Sequence, residues 1–164
     1  MSWYRSTLAV CAALALGACG FHLRGQATYA FDSIYVSTTP APAMGTELRR
    51  ALESGGNARV LDTAKDAQVV LEITNVSDDK EVLTLTSAGS VSEYTIIKRV
   101  QFRLHGLDGE DWLPPGDFSL RRTFSYATSE ELARGIQEQR LWREMQSDAV
   151  QQLVRRLQAA KKPA

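Results

Sequence analysis

Apolar and polar positions change period several times along this chain, and the changes divide it into elements. From Ala67 the period is two: Val69, Leu71 and Ile73 alternate with Val70, Glu72 and Thr74, the pattern of a strand with one face buried. A polar bend is expected at Ser77 to Lys80, after which Val82, Leu83, Thr84 and Leu85 resume the strand, and Ser87 to Ser90, with Gly89, reads as a turn. The longest strand signal follows, with Tyr94, Ile96, Val100, Phe102 and Leu104 on one side and Thr95, Ile97, Arg99, Gln101 and Arg103 on the other. Gly109, Pro114, Pro115 and Gly116 mark Leu107 to Asp117 as a loop, and Phe118, Leu120, Phe124 and Tyr126 then alternate in a closing hairpin strand.

Elsewhere the period is helical. Leu48, Ala51 and Leu52 define a short amphipathic helix over Gly45 to Ser54, with Arg49 and Arg50 on its solvated face and Gly55 and Gly56 placed to end it in an αL residue. Phe31 to Ser37 before it reads as a first strand, broken by Pro40 and Pro42, and Ala58 to Leu61 after it as a brief edge segment. Thr128 and Glu131 have capping-box spacing. From Glu130 to about Ala160 a long helix is expected, with Leu132, Ile136, Trp142, Met145, Ala149, Val150, Leu153, Val154 and Leu157 largely on one face. Such a stripe must cover something apolar. The expected fold is therefore α+β: a two-layer sandwich of a mainly antiparallel four-stranded sheet with two helices packed on one face.

The N-terminus is organised differently. Met1 to Arg5 is short and positive, and Thr7 to Leu16 is apolar but only about half of the roughly 20 residues that span a bilayer, so the segment reads as a secretory signal over residues 1–18. Leu16, Gly17, Ala18 and Cys19 form a lipobox. Cys11, the only other cysteine, leaves with the signal, and acylation of Cys19 resolves the otherwise lone thiol in an oxidising compartment. The expected organisation is an acylated tether over 19–30, a single domain over 31–160 and a tail over 161–164. Gly20 stands where bacterial lipoproteins retained in the inner membrane usually carry aspartate, which points to the outer membrane, on the periplasmic side, with Cys19 as the membrane anchor.

Nineteen basic and nineteen acidic residues balance, so neither nucleic-acid binding nor general adhesion to anionic lipid is indicated. His22 and His105 are the only histidines and form no triad or metal cluster; the acid pairs fall in turns or at a helix start; no glycine-rich phosphate loop joins a strand to a helix. An enzyme is disfavoured, and no metal or cofactor is expected. The polar hairpin face is more informative. Arg99, Arg103 and Arg121 point the same way, an arrangement favoured by an overlying negative group, although a solvated face with splayed side chains is the simpler account. Arg134, near the start of the long helix, is not explained by the helix dipole.

The chain resembles the lipopolysaccharide-assembly lipoprotein family LptE over nearly the whole mature sequence. The resemblance rests on Cys19, Gly20, Phe21, His22, Leu23 and Arg24; on Gly89 followed by Glu93, Tyr94 and the long strand; and on Leu141, Glu144, Met145, Asp148, Gln152, Leu153, Arg156 and Leu157. It implies two helices on a four-stranded sheet, and an outer-membrane lipoprotein that plugs a large β-barrel, the LptD translocon, helps it assemble and binds lipopolysaccharide. In the family, basic residues at the turn before the long strand and near the start of the last helix are associated with that ligand. The first aligns with Ser87 and the second with Arg134, leaving Lys80, Arg99 and Arg121 as candidates to compensate. The alternative is an accessory lipoprotein of another outer-membrane assembly machine that binds no lipopolysaccharide.

Overall fold

The computed structural model describes residues 27–85, 91–125 and 131–163, with the side chains of all of these except 91–92 and 131–134. The elements in order are β1 (Ser33–Val36), α1 (Pro42–Gly55), β2 (Arg59–Leu61), a 3-10 turn at Ala64–Asp66, β3 (Val69–Leu85), β4 (Val91–Gly106), β5 (Asp111–Ser125) and α2 (Glu131–Gln158). The signal segment, Cys19, the Ser87 to Ser90 turn and Thr128 of the capping box lie outside the described residues.

The fold class is α+β with two helices, but the sheet has five strands in the order β2-β1-β3-β4-β5 and is mixed. β1 runs parallel to both β2 and β3, whereas β3, β4 and β5 are antiparallel neighbours. The expected four-stranded, mainly antiparallel sheet is corrected in this respect. The reason is the β1-α1-β2 crossover: a helix between two strands returns the chain in the same direction, and the three-residue β2 is too short for alternation to reveal.

Two segments expected to break β structure lie inside strands. Ser77 to Lys80 belongs to β3, which runs unbroken for 17 residues, because an irregularity between Ile73 and Asn75 leaves Thr74 unpaired and shifts the helix-facing set from odd to even positions. Pro114, Pro115 and Gly116 belong to β5. Leu113 pairs with Leu104 and Gly116 with Phe102, so the two prolines oppose Arg103 alone in a bulge. β5 is an edge strand, where a missing N–H costs no ladder bond. Only residues 107–110 connect β4 to β5.

The main core lies at the lower end of the sheet, beside the start of β3 and the end of β4. Ile34, Val36, Leu71, Val100 and Leu104 meet Met44, Leu48 and Leu52 of α1 and Ala149, Leu153 and Leu157 of α2, all fully buried. Burying each large side chain contributes roughly 1.5–3 kcal/mol. A second, smaller cluster of Ile96, Phe124 and Met145 sits higher, with Tyr94, Leu141 and Trp142 packed against it. Ile136, expected on the apolar face of α2, is instead 63% exposed, because it lies beyond both clusters.

Two details at the lower end depart from the sequence reading. Gly56 is extended (φ −150°), not αL; it is required by space, since a Cβ there would lie 2.2 Å from Cε2 of Tyr29. Ala27 and Tyr29, expected in the tether, are buried in the main core, with Tyr29 stacked on Phe31 at 5.2 Å and Ala27 bonded to Gly55. The packed chain thus includes residues 27–30.

The Tyr29 hydroxyl is buried and has no hydrogen-bond partner among the described residues, and burial pushes its pKa up. An unsatisfied buried hydroxyl costs about 1–3 kcal/mol. Tyr29→Phe is therefore expected to leave stability unchanged or raise it by about 1 kcal/mol in thermal or urea denaturation; a clear loss would mean that the hydroxyl is partnered.

Candidate functional site

Residues directly opposed across a ladder share a face, so the register assigns each cation to a side of the sheet. Lys98 pairs with Asp78 and Leu120, and Ile96 with Lys80 and Arg122, which places Lys80, Lys98 and Arg122 on the face covered by α2. Ile97 pairs with Asp79 and Arg121, and Arg99 with Ser77 and Ser119, which places Arg99, Arg121 and Arg103 on the opposite, open face. The common orientation expected for the three arginines is thus observed.

On the open face the arginines are drawn to neighbouring carboxylates. Arg99 pairs with Asp79, and Arg103 with Asp111 (2.5 Å) and the Gly109 carbonyl (3.0 Å). Arg121 has no ion-pair partner among the described residues and is exposed. These pairs are at least one-third exposed, so each contributes within about 0–1 kcal/mol. They explain how like charges share a face without a ligand.

The covered face holds a denser arrangement. The Lys98 ammonium is buried, donates to Asp78 Oδ1 at 2.5 Å and lies 5.5 Å from the Trp142 ring centre. Lys80 donates to Glu138 Oε2 at 2.5 Å and sits 4.2 Å from the Tyr94 ring centre and 5.8 Å from that of Phe124. Glu138 also accepts from the Trp142 indole N–H at 3.4 Å. Arg122 reaches Asp148 one element away, at 2.5 Å. The upper half of α2 is therefore fastened by alternating cations, carboxylates and rings. Lys98 and Arg122 were not singled out from the sequence, and Trp142 was read only as part of the apolar stripe of the long helix, although a lysine in register with Tyr94, Ile96 and Val100 was a readable signal.

The four candidate cations do not converge. Lys80 lies under α2, Arg99 and Arg121 on the open face, and Arg134 in the first turn of α2, its side chain outside the description. The nearest link is sequential: Glu138, which holds Lys80, follows Arg134 by one helical turn. His105 is satisfied locally, with Nδ1 2.8 Å from the Gly106 carbonyl and Nε2 3.6 Å from Glu72. Among the described residues no group of three or more His, Cys, Asp or Glu side chains converges as metal ligands, and no helix is long and apolar enough to cross a membrane.

A family model described as LptE, lipopolysaccharide-assembly, matches residues 31–157. The chain belongs to the LptE family. Relatives named LPS-assembly lipoprotein LptE include one from Pectobacterium atrosepticum, 27% identical over 89% of this chain and 80% of its own length, and one from Yersinia enterocolitica, 28% identical over 89% and 71%. Among solved structures, lipoprotein B of Nitrosomonas europaea aligns with a TM-score of 0.73 at 30% identity, covering 85% of this chain and 91% of its own. Rare lipoprotein B of Shewanella oneidensis shares the fold, with a TM-score of 0.67 at 22% identity over 78% and 95% of the two chains. The structural matches show that the fold is shared with these lipoproteins.

Removing one partner of a buried ion pair leaves an uncompensated charge, whereas replacing the buried cation by an isosteric apolar group does not. Asp78→Ala should therefore destabilise by about 1–3 kcal/mol, below the about 3–5 kcal/mol of a fully buried pair because Asp78 is 46% exposed. Lys98→Met should cost less. Urea denaturation of the two variants checks the order, and equal losses would show that the pair itself, not the stranded charge, matters.

Proposed function

We propose that this protein is an outer-membrane lipoprotein that plugs and helps assemble an LptD-like β-barrel translocon and binds lipopolysaccharide during its insertion into the outer leaflet. The observation that carries the reading is the family match over residues 31–157. The role is that of a scaffold without turnover. Diacylation and N-acylation at Cys19 hold the body at the periplasmic side of the outer membrane, since each buried methylene contributes about 0.8 kcal/mol and one chain alone binds only marginally.

The physical surfaces support a plug. The open sheet face carries Arg99, Arg103, Arg121, Asp79 and Asp111, a mixed polar surface suited to the polar interior of a large barrel. At the upper end Val82, Leu83, Leu85 and Ile136 are each more than half exposed, a concentration of apolar surface that a partner would cover. Lipopolysaccharide phosphates would meet Arg134, with Arg121, which has no ion-pair partner among the described residues, as a further candidate; Arg99 and Lys80 contribute only by exchanging Asp79 and Glu138 for phosphate.

A charged hydrogen bond contributes roughly 1.5–3 kcal/mol, so Arg134→Glu should weaken lipopolysaccharide binding about tenfold or more while a large β-barrel still co-purifies with the anchored chain. Unchanged lipopolysaccharide binding would remove Arg134 from the site. Capture of a different assembly machine in place of one large barrel would favour the accessory-subunit alternative.

A further inference from the structure

Arg156, two residues before the end of α2, is half-buried and has no carboxylate partner or hydrogen-bond acceptor among the described residues. The other half-buried arginines, Arg49 and Arg103, each face an aspartate. Its guanidinium is held instead by rings, 5.5 Å from the centre of Phe102 and 5.2 Å from that of Phe118. Such contacts attract the cation to the ring faces and fix its orientation. They leave the N–H edge of the group unused.

That edge borders a cleft of about 320 Å³ between the β5 bulge and the end of α2, walled by Leu113, Pro114, Pro115, Gly116 and Ala159. The volume is at the small end of the roughly 300–1,000 Å³ range of ligand pockets. Gly116 keeps it open: a Cβ there would lie 3.6 Å from Arg156 Nη1 and 3.5 Å from Phe102 Cζ, so any larger side chain would extend into the space beside both. Arg155, Lys161 and Lys162 add positive potential at this end and offset the negative helix C-terminus.

We propose that this cleft binds an anionic amphiphile, its oxyanion on Arg156 and its alkyl chain against the proline wall. A guanidinium donates two parallel hydrogen bonds to a phosphate or carboxylate. The occupant is an alkyl chain and not a peptide, because Pro114 and Pro115 offer no N–H. A peptide entering along them would bury carbonyls without donors, which is costly, whereas an alkyl chain has none to satisfy. The site lies apart from Arg134 and Lys80, and its occupation does not depend on the lipopolysaccharide reading.

The test is photolabelling of the whole anchored chain in phosphatidylcholine nanodiscs with octyl phosphate, octanoate and octanol, each carrying a diazirine at the chain end. The expected result is labelling of the peptides containing Leu113 to Gly116 and Ala159, at least tenfold stronger with an anionic probe than with octanol, and stronger with the headgroup the site prefers. Arg156→Gln should reduce it about tenfold, and Gly116→Ile, which keeps the cation but fills the cleft, should do the same, with melting temperatures near that of the parent. Equal labelling by octanol, labelling confined to other peptides, or labelling of folded Arg156→Gln at the parent level would each overturn the proposal.

Discussion

The last helix must cover a sheet whose exposed-to-helix surface changes character halfway along, and the structure follows from how that is met. Over the lower half Ala149, Leu153 and Leu157 bury against Val100 and Leu104, and non-directional apolar burial suffices. Over the upper half the sheet offers Lys80, Lys98 and Arg122, and the helix answers with Glu138, Trp142 and Asp148. Charged contacts of this kind are directional and weak when solvated. They fix the position of the upper helix more than they stabilise it, while Met145 over Ile96 and Phe124 supplies the apolar contact that remains.

Phe102 is where the two halves join. The irregularity that leaves Thr74 unpaired opposes it on one side, and the bulge of Pro114 and Pro115 begins beside it on the other. Bulges add twist and re-aim side chains. Here the β5 bulge borders the cleft in which Arg156 lies over the rings of Phe102 and Phe118.

The same joint explains what the sequence did and did not disclose. β4 alternates without interruption, so its two faces, and the common side of Arg99, Arg103 and Arg121, were legible. β3 changes phase at Thr74, so the helix-facing set moves from Val69, Leu71 and Ile73 to Val76, Asp78 and Lys80, and a continuous strand looked like two pieces joined by a polar bend. Asp78 is polar because Lys98 faces it from the next strand, a relation visible only once the register is known. Prolines read as loop residues because their tolerance depends on β5 being an edge, which is a property of topology. The distribution of Lys80, Arg99 and Arg121 over two faces was hidden for the same reason: one residue of phase decides the side.

Length bears on the proposed plug. Seventeen residues of β3 extend up to about 55 Å at roughly 3.3 Å per residue, against an apolar band of about 25 Å in outer-membrane barrels. Ala27, the first described residue, is buried beside the lower end, eight positions after Cys19, whereas the exposed Val82, Leu83 and Leu85 occupy the upper end. An anchor held at the inner leaflet would thus leave a body long enough for its upper end to reach through the band, with paired charges along the open face. Surface pairs of near-zero net worth suit that setting, because each can exchange its partner for a polar group of a surrounding wall at little cost.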